Sequence, residues 1–93
     1  MITIIAKFIL QSGSVNKVKE ELLKMTEPTY KEKGCVDYIF YEDPQNTALL
    51  MLYENWKSEE DLNAHMNSSH FKNCFSEIEG LYQIEVYRLT RID

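Results

Sequence analysis

The sequence has 93 residues, of which 44% are hydrophobic and 27% charged, and its formal net charge is −5 at pH 7. This length and composition predict one folded domain over residues 1–93 and exclude an intrinsically disordered chain. The acidic balance excludes a basic surface for nucleic acid, and no apolar run approaches the roughly 20 residues that cross a membrane.

The first part of the chain predicts a strand followed by a helix. Apolar side chains occupy every second position of residues 1–10, which is the period of a strand. Ser14 is placed to cap an amphipathic helix. Pro28 is expected to bend or end that helix, with a last turn that could continue to Tyr30, and Gly34 is the expected stop.

The rest of the chain predicts a β-hairpin, two short helices and a long last strand. Ser58 and the three acidic residues after it are typical of a helix start. Residues 67–69 separate this helix from the next, which ends at Gly80. The strands are predicted at Cys35–Glu42, Thr47–Trp56 and Leu81–Ile92.

The element order β-α-β-β-α-α-β indicates an α+β fold of the ferredoxin-like type, with helices on one face of an antiparallel sheet. The first three strands are apolar on both faces, as Leu49 and Met51 alternate with Leu50 and Leu52. Helices cover only one face, and a second apolar face in water would be a large exposed patch. We therefore predict a homodimer in which two sheets pack face to face.

Two features predict a cytoplasmic protein. The N-terminal segment has neither a basic start nor a small-residue cleavage site, so we expect a strand there rather than a signal peptide. The chain has only two cysteines, which is too few for a disulfide scaffold. We expect Cys35 and Cys74 to be reduced thiols.

The stretch from Tyr53 to Phe71 resembles the signature of the antibiotic biosynthesis monooxygenase family. Its matching residues are Glu54-Asn55-Trp56 at a strand end, then Leu62, His65 and His70-Phe71. The segments Glu32–Tyr38 and Glu42–Pro44 resemble the glycine, strand and turn of the same family. The resemblance covers nearly the whole chain and implies a dimeric α/β barrel.

The family resemblance implies several activities. Its members include quinol and polyketide monooxygenases that use no cofactor, heme-degrading enzymes, and an isomerase of a phosphorylated signalling sugar. The heme-degrading branch has an asparagine, a tryptophan and a histidine where this chain has Lys7, His65 and Phe75. The isomerase branch is similar over His65–Cys74 but has a histidine at the place of Thr26. Both differences disfavour the respective activity.

His65 is the first candidate for a catalytic residue. It follows Leu62 by three positions, so it faces the inner side of its helix. An imidazole there could accept a proton from a phenol or quinol near neutral pH. The alternative is a structural histidine that hydrogen-bonds the loop at residues 67–69. His70 is expected to pack with Phe71 at a helix start, and a substrate contact is its alternative role.

Glu54 and Trp56 share one face of their predicted strand. Glu54 is a second catalytic candidate, as a base or an orienting group, and its alternative role is a hydrogen bond to nearby backbone. Trp56 and Phe71 are candidate walls for an aromatic substrate, and the alternative for Trp56 is a packing role. Cys74 is either a thiolate nucleophile or a small buried hydrophobe, and its apolar neighbours favour the second.

No cofactor or metal is predicted. The chain has no glycine-rich phosphate loop, and we find no ligands that would complete a metal site with the two histidines. The prediction is a cofactor-independent monooxygenase that acts on a small aromatic or quinol with molecular oxygen. The alternatives are a non-catalytic dimeric ligand-binding module of the same fold, or an isomerase.

Overall fold

A four-stranded antiparallel sheet carries the other elements of the chain, in a computed structural model that describes residues 1–93. The elements are β1 (Ile2–Leu10), α1 (Val15–Leu23), α2 (Thr26–Tyr30), β2 (Cys35–Asp43), β3 (Asn46–Trp56), α3 (Glu59–Met66), α4 (Ser69–Glu77) and β4 (Tyr82–Leu89). The strand order is β2-β3-β1-β4, with every neighbouring pair antiparallel. The predicted ferredoxin-like α+β class is confirmed, as an open sheet.

The core lies between the helices and one face of the sheet, which we call the inner face. The even-numbered residues of β1 and β3 point to it, because side chains alternate along a strand. α1 contributes Val18 and Leu22, and the end of α4 contributes Cys74 and Ile78. A smaller cluster around Trp56 lies under α3. None of the helices is both long enough and apolar enough to cross a membrane.

The single helix predicted before Gly34 is two helices in the structure. α1 ends at Leu23 and α2 begins at Thr26. Pro28 has no N–H to donate to the carbonyl of Lys24, so a continuous helix would lose a bond there. Restarting at Thr26 puts Pro28 in the first turn of a helix, where an N–H has no partner within the helix in any case.

The last strand is shorter than predicted and lies at an edge of the sheet. It pairs only with β1, and that pairing stops where Leu89 meets Thr3 near the start of β1. Residues 90–92 therefore have no strand to pair with. The helices leave β4 uncovered, so its inner-face residues Ile84 and Val86 are 41% and 59% exposed.

The second face of the sheet, which we call the outer face, carries no helix. The odd-numbered residues of β1 and β3 point to it, and they include Ile5, Ile9, Leu49, Met51 and Tyr53. None of these five is buried. The doubly apolar character of the strands thus leaves one apolar face without a partner inside the chain.

Candidate active site

A cleft of about 120 Å³ lies between the inner face of the sheet and the helices α3 and α4. Eleven of its thirteen lining residues are hydrophobic, and the other two are Glu54 and His65. Met66, Ile84 and Val86 line it and are exposed, so they form its mouth. For scale, an apolar cavity of about 150 Å³ admits a benzene ring. The enclosed part of the cleft is therefore slightly smaller than a benzene-sized cavity, and a larger aromatic molecule would extend through its open mouth.

His65 is held in the cleft by hydrogen bonding on one side of its ring and by aromatic contacts around it. Its Nδ1 lies 2.7 Å from Oε2 of Glu32. Its ring lies 4.8 Å from that of Trp56 and meets Phe71 and Tyr38 edge-on. Its side chain is only 2% exposed. These contacts favour this orientation of the ring.

Burial favours the neutral form of His65. Loss of contact with water lowers the pKa of His65 below its ordinary value, and this outweighs the raising effect of Glu32. The positive charge that His70 can carry also lowers the pKa of His65. A neutral imidazole has one nitrogen with a lone pair, so it can act as a base in this cleft.

Glu54 and Trp56 form a second buried polar pair. The indole Nε1–H of Trp56 donates to Oε1 of Glu54 over 2.9 Å. Glu54 is 7% exposed and Trp56 is fully buried. Burial raises the pKa of Glu54, although the hydrogen bond from Trp56 opposes this shift. The alternative role for Glu54 was a hydrogen bond to nearby backbone, and the hydrogen bond that it makes is instead with the indole.

The remaining predicted site residues lie at different distances from the cleft. Phe71 lines it. Trp56 lies behind Glu54 and His65 and does not line it. His70 faces a separate surface hollow beside α1, and its Nε2 lies 3.3 Å from Oε1 of Glu32.

Capped helix ends place both histidines. The hydroxyl of Ser58 accepts from the N–H of Asp61 over 3.1 Å and fixes the start of α3. The hydroxyl of Ser68 lies 3.3 Å from the N–H of Phe71, at the start of α4, and 2.6 Å from the carbonyl of His65. Ser68 therefore joins the end of α3 to the start of α4. By contrast, Ser14 makes no capping hydrogen bond at α1.

Glu32 is the site residue that the sequence did not reveal. It belongs to the turn between α2 and β2, and it contacts both histidines. Only the hairpin register hints at its position, because Cys35 lies opposite Trp56 at the end of β3. The turn before Cys35 must therefore run beside the start of α3.

Glu32, His65 and His70 have donor atoms within 4.8 Å of one another, which is a spacing that metal sites also use. The 2.7 Å separation between Glu32 and His65 is the length of a charge-assisted hydrogen bond. Each histidine faces a different oxygen of the carboxylate. The cluster therefore consists of a hydrogen bond between His65 and Glu32, with His70 in ion-pair distance of the second carboxylate oxygen.

Comparison with known proteins identifies the family. Residues 1–77 match the model of the family described as Antibiotic biosynthesis monooxygenase. The chain belongs to this family, and the resemblance noted from Tyr53–Phe71 is confirmed.

Several relatives match most of the chain. "Uncharacterized protein YjcS" of Bacillus subtilis (strain 168) is 29% identical over 82 residues, which cover 84% of this chain and 78% of the relative. The structure of PA3566 from Pseudomonas aeruginosa has a TM-score of 0.93 at 27% identity and covers 99% of this chain and 94% of that one. The structure of Rv0793 from Mycobacterium tuberculosis has a TM-score of 0.90 at 28% identity, with 99% and 95% covered. That protein bears the name "Putative monooxygenase Rv0793".

Proposed function

We propose that the protein is a cofactor-independent monooxygenase that oxidises a small aromatic quinol with molecular oxygen. The observation that carries this proposal is the pairing of His65 and Glu54 in a cleft that is otherwise apolar. An electron-rich quinol that has lost a proton reduces oxygen by itself. The protein then needs to supply a dry pocket, a base and hydrogen bonds to the developing anion.

Four residues in or beside the cleft have roles in this reaction. His65 accepts the proton of one quinol hydroxyl on Nε2, since Nδ1 is engaged with Glu32. Glu54 has one oxygen bound to Trp56, and its other oxygen orients the second hydroxyl. Phe71 packs against the ring. Trp56 acts through Glu54 and His65, which it contacts directly.

The reaction balances without an external reductant. The deprotonated quinol forms a carbon–oxygen bond with O₂, and His65 returns its proton to the resulting peroxide. The O–O bond breaks as hydroxide leaves with the ring hydrogen, which together make water. One oxygen atom stays in the hydroxyquinone product, and the substrate supplies all four electrons.

Oxygen uptake with menadiol tests the proposal. Under ¹⁸O₂ we expect one labelled oxygen in the hydroxyquinone product, at a rate above the enzyme-free oxidation. Unlabelled quinone with hydrogen peroxide, at the enzyme-free rate, would contradict a monooxygenase. Menadiol binding without any turnover would instead identify a ligand-binding module.

The variant His65→Ala tests the base. We expect turnover to fall by roughly 10²–10⁴-fold while the melting temperature changes modestly. Asn63→Ala is the control, because Asn63 is exposed on the same helix. If activity in His65→Ala fell only as far as the folded fraction, His65 would have a structural role alone, worth about 1–3 kcal/mol.

We also propose that the protein works as a homodimer in a reducing compartment, the cytoplasm. The outer face supports the dimer, because its apolar residues have no partner within the chain. The two cysteines support the compartment, because Cys35 and Cys74 are free and Cys74 is buried.

A further inference from the structure

One carboxylate bridges the two histidines of the chain. Oε2 of Glu32 lies 2.7 Å from Nδ1 of His65, and Oε1 lies 3.3 Å from Nε2 of His70. The three residues come from a turn, from α3 and from α4. The Glu32 and His70 side chains are 19% and 24% exposed, so the chain of contacts runs from the buried His65 toward solvent.

This contact decides where the proton of a neutral His65 sits. A carboxylate accepts hydrogen bonds and has no hydrogen to donate. The nitrogen that faces Glu32 must therefore carry the hydrogen, and this nitrogen is Nδ1. The lone pair is then on Nε2.

The same contact decides where that lone pair points. His65 lines the cleft, whereas Glu32 does not. The Nδ1 edge thus faces away from the cleft, and no side chain or backbone group bonds to Nε2. Thr29 Oγ1 is the only side-chain polar atom that is both inaccessible to solvent and without a hydrogen-bond partner. Nε2 of His65 also has no partner, so it must adjoin accessible space.

We propose that Glu32 is a positioning residue that fixes His65 in the Nδ1–H tautomer and aims its Nε2 lone pair into the cleft. His70 lies beside this arrangement, with its Nε2 3.3 Å from the second carboxylate oxygen and 3.3 Å from the hydroxyl of Ser68. This inference deepens the function proposed above and rests on the same cleft. In this arrangement His70 lies beside Glu32, outside the cleft that His65 lines, and does not contact the substrate.

The geometry separates this role from general support of the fold. The only side-chain hydrogen bond of Glu32 is to His65, and its only other polar side-chain contact is with His70. A carboxylate that orients a histidine base can contribute up to about 10⁴-fold to turnover, because the wrong tautomer presents no lone pair. The groups that face His65 are Glu32 from the turn, His70 and Phe71 from α4, and Tyr38 and Trp56 from the sheet.

The first test reads the tautomer directly. Long-range ¹H–¹⁵N NMR of histidine-labelled protein at pH 8 distinguishes a protonated ring nitrogen from one with a lone pair. We expect His65 of the unmodified chain to show a single Nδ1–H tautomer. A single Nε2–H tautomer would overturn the proposal, and this measurement requires no variant to fold.

The second test compares two substitutions that remove the same charge. In Glu32→Gln the amide offers both a donor and an acceptor to Nδ1, so we expect a mixture of tautomers and at least a tenfold loss of menadiol turnover. Glu27→Gln is the control, because Glu27 is 84% exposed and pairs only with Lys31. We expect it to leave tautomer and turnover unchanged.

The pH dependence of turnover gives a further measurement, because a purely structural role of Glu32 would leave it unchanged. Glu32 raises the pKa of His65, so removing its carboxylate should lower that pKa. The acidic limb of the rate profile, where turnover rises as His65 loses its proton, should then shift to lower pH. An unchanged tautomer and an unchanged limb in Glu32→Gln would overturn the proposal. If the Nδ1–H tautomer is found and is lost in Glu32→Gln, but menadiol is not oxidised, the positioning role stands and the proposed function fails.

Discussion

At the scale of single residues, Glu54 shows how burial sets a pH dependence of stability. Its pKa is raised in the folded protein, mainly because burial penalises the carboxylate. The folded state therefore binds more protons than the unfolded state between the ordinary and the raised pKa. The contribution of Glu54 to stability is full below the ordinary pKa and is lost as pH rises through the raised one.

We expect Glu54→Gln to remove this dependence. The amide oxygen can still accept the hydrogen bond from Trp56, and the side chain no longer ionises. The free energy of unfolding of the variant, relative to the unmodified protein, should therefore be higher at pH 8 than at pH 4. Urea titrations at the two pH values measure it.

The pKa shift of His65 does not affect the comparison between Glu54→Gln and the unmodified protein. Its pKa is lowered, so its contribution to stability is lost as pH falls below the ordinary value, which is the opposite direction. It is present in both proteins and cancels in their difference. A difference in unfolding free energy that is equal at pH 4 and pH 8 would contradict the account of Glu54.

Residue-level prediction from the sequence succeeded where the residue lay on a periodic element. Helical spacing placed His65 on the inner side of its helix, and strand alternation placed Glu54 beside Trp56. Glu32 lies 33 positions from His65 in a turn, where no period applies. The place of His70 also depends on the break between α3 and α4, which residue spacing does not describe.

At the scale of elements, the turn at Gly34 holds α3 in place. Gly34 has φ +82°, a left-handed conformation, and an added Cβ would collide with the side chain of Asp61. Its carbonyl accepts from the N–H of Lys57 over 2.9 Å. The turn thus presses against the first turn of the helix that carries His65.

We expect Gly34→Ala to be more destabilising than Gly80→Ala. Both glycines have positive φ, so each substitution costs about 1–2 kcal/mol in backbone strain. Gly80 has no atom within 4 Å of an added Cβ, whereas at Gly34 the collision with Asp61 adds roughly 1–3 kcal/mol. Chemical denaturation of the two variants measures the difference. Equal losses would show that α3 does not depend on close contact with the turn.

Element bounds were predictable where a local signal was strong. Ser58 was expected to begin a helix, and its hydroxyl caps α3. Ser14 was placed by the same rule but makes no capping bond, so position alone did not determine the contact. β4 ends where its partner β1 begins, and the two strands are distant in sequence. The local strand pattern, which continues to residue 92, therefore predicted too long a strand.

At the scale of the whole molecule, the two faces of the sheet differ in what covers them. The sequence predicted that both faces are apolar but left open which one the helices take. The structure assigns Leu50 to the inner face, at 4% exposure, and Met51 to the outer face. Met51 lies opposite Lys7, and an apolar hollow beside it is lined by Ile5, Tyr41 and Tyr53.

The homodimer predicts different outcomes for neighbouring substitutions. Light scattering of the unmodified protein at micromolar concentration should give about twice the mass of one chain, as expected if about 800 Å² of each outer face is buried. Met51→Lys places a second positive charge beside Lys7 in that interface, so we expect a folded monomer by circular dichroism. Leu50→Lys buries the same charge under the helices and should unfold the chain.

Gln45→Lys is the control, since Gln45 is exposed in the turn between β2 and β3 and should leave the dimer intact. A monomeric unmodified protein, or a Met51→Lys variant that stays dimeric, would refute packing through the outer face. The mouth of the cleft is formed by Met66 of α3 and by Ile84 and Val86 of β4, which point to the inner face, so the proposed interface does not cover it. The Met51→Lys monomer should therefore still bind menadiol, and its turnover relative to the dimer measures how far each active site works alone.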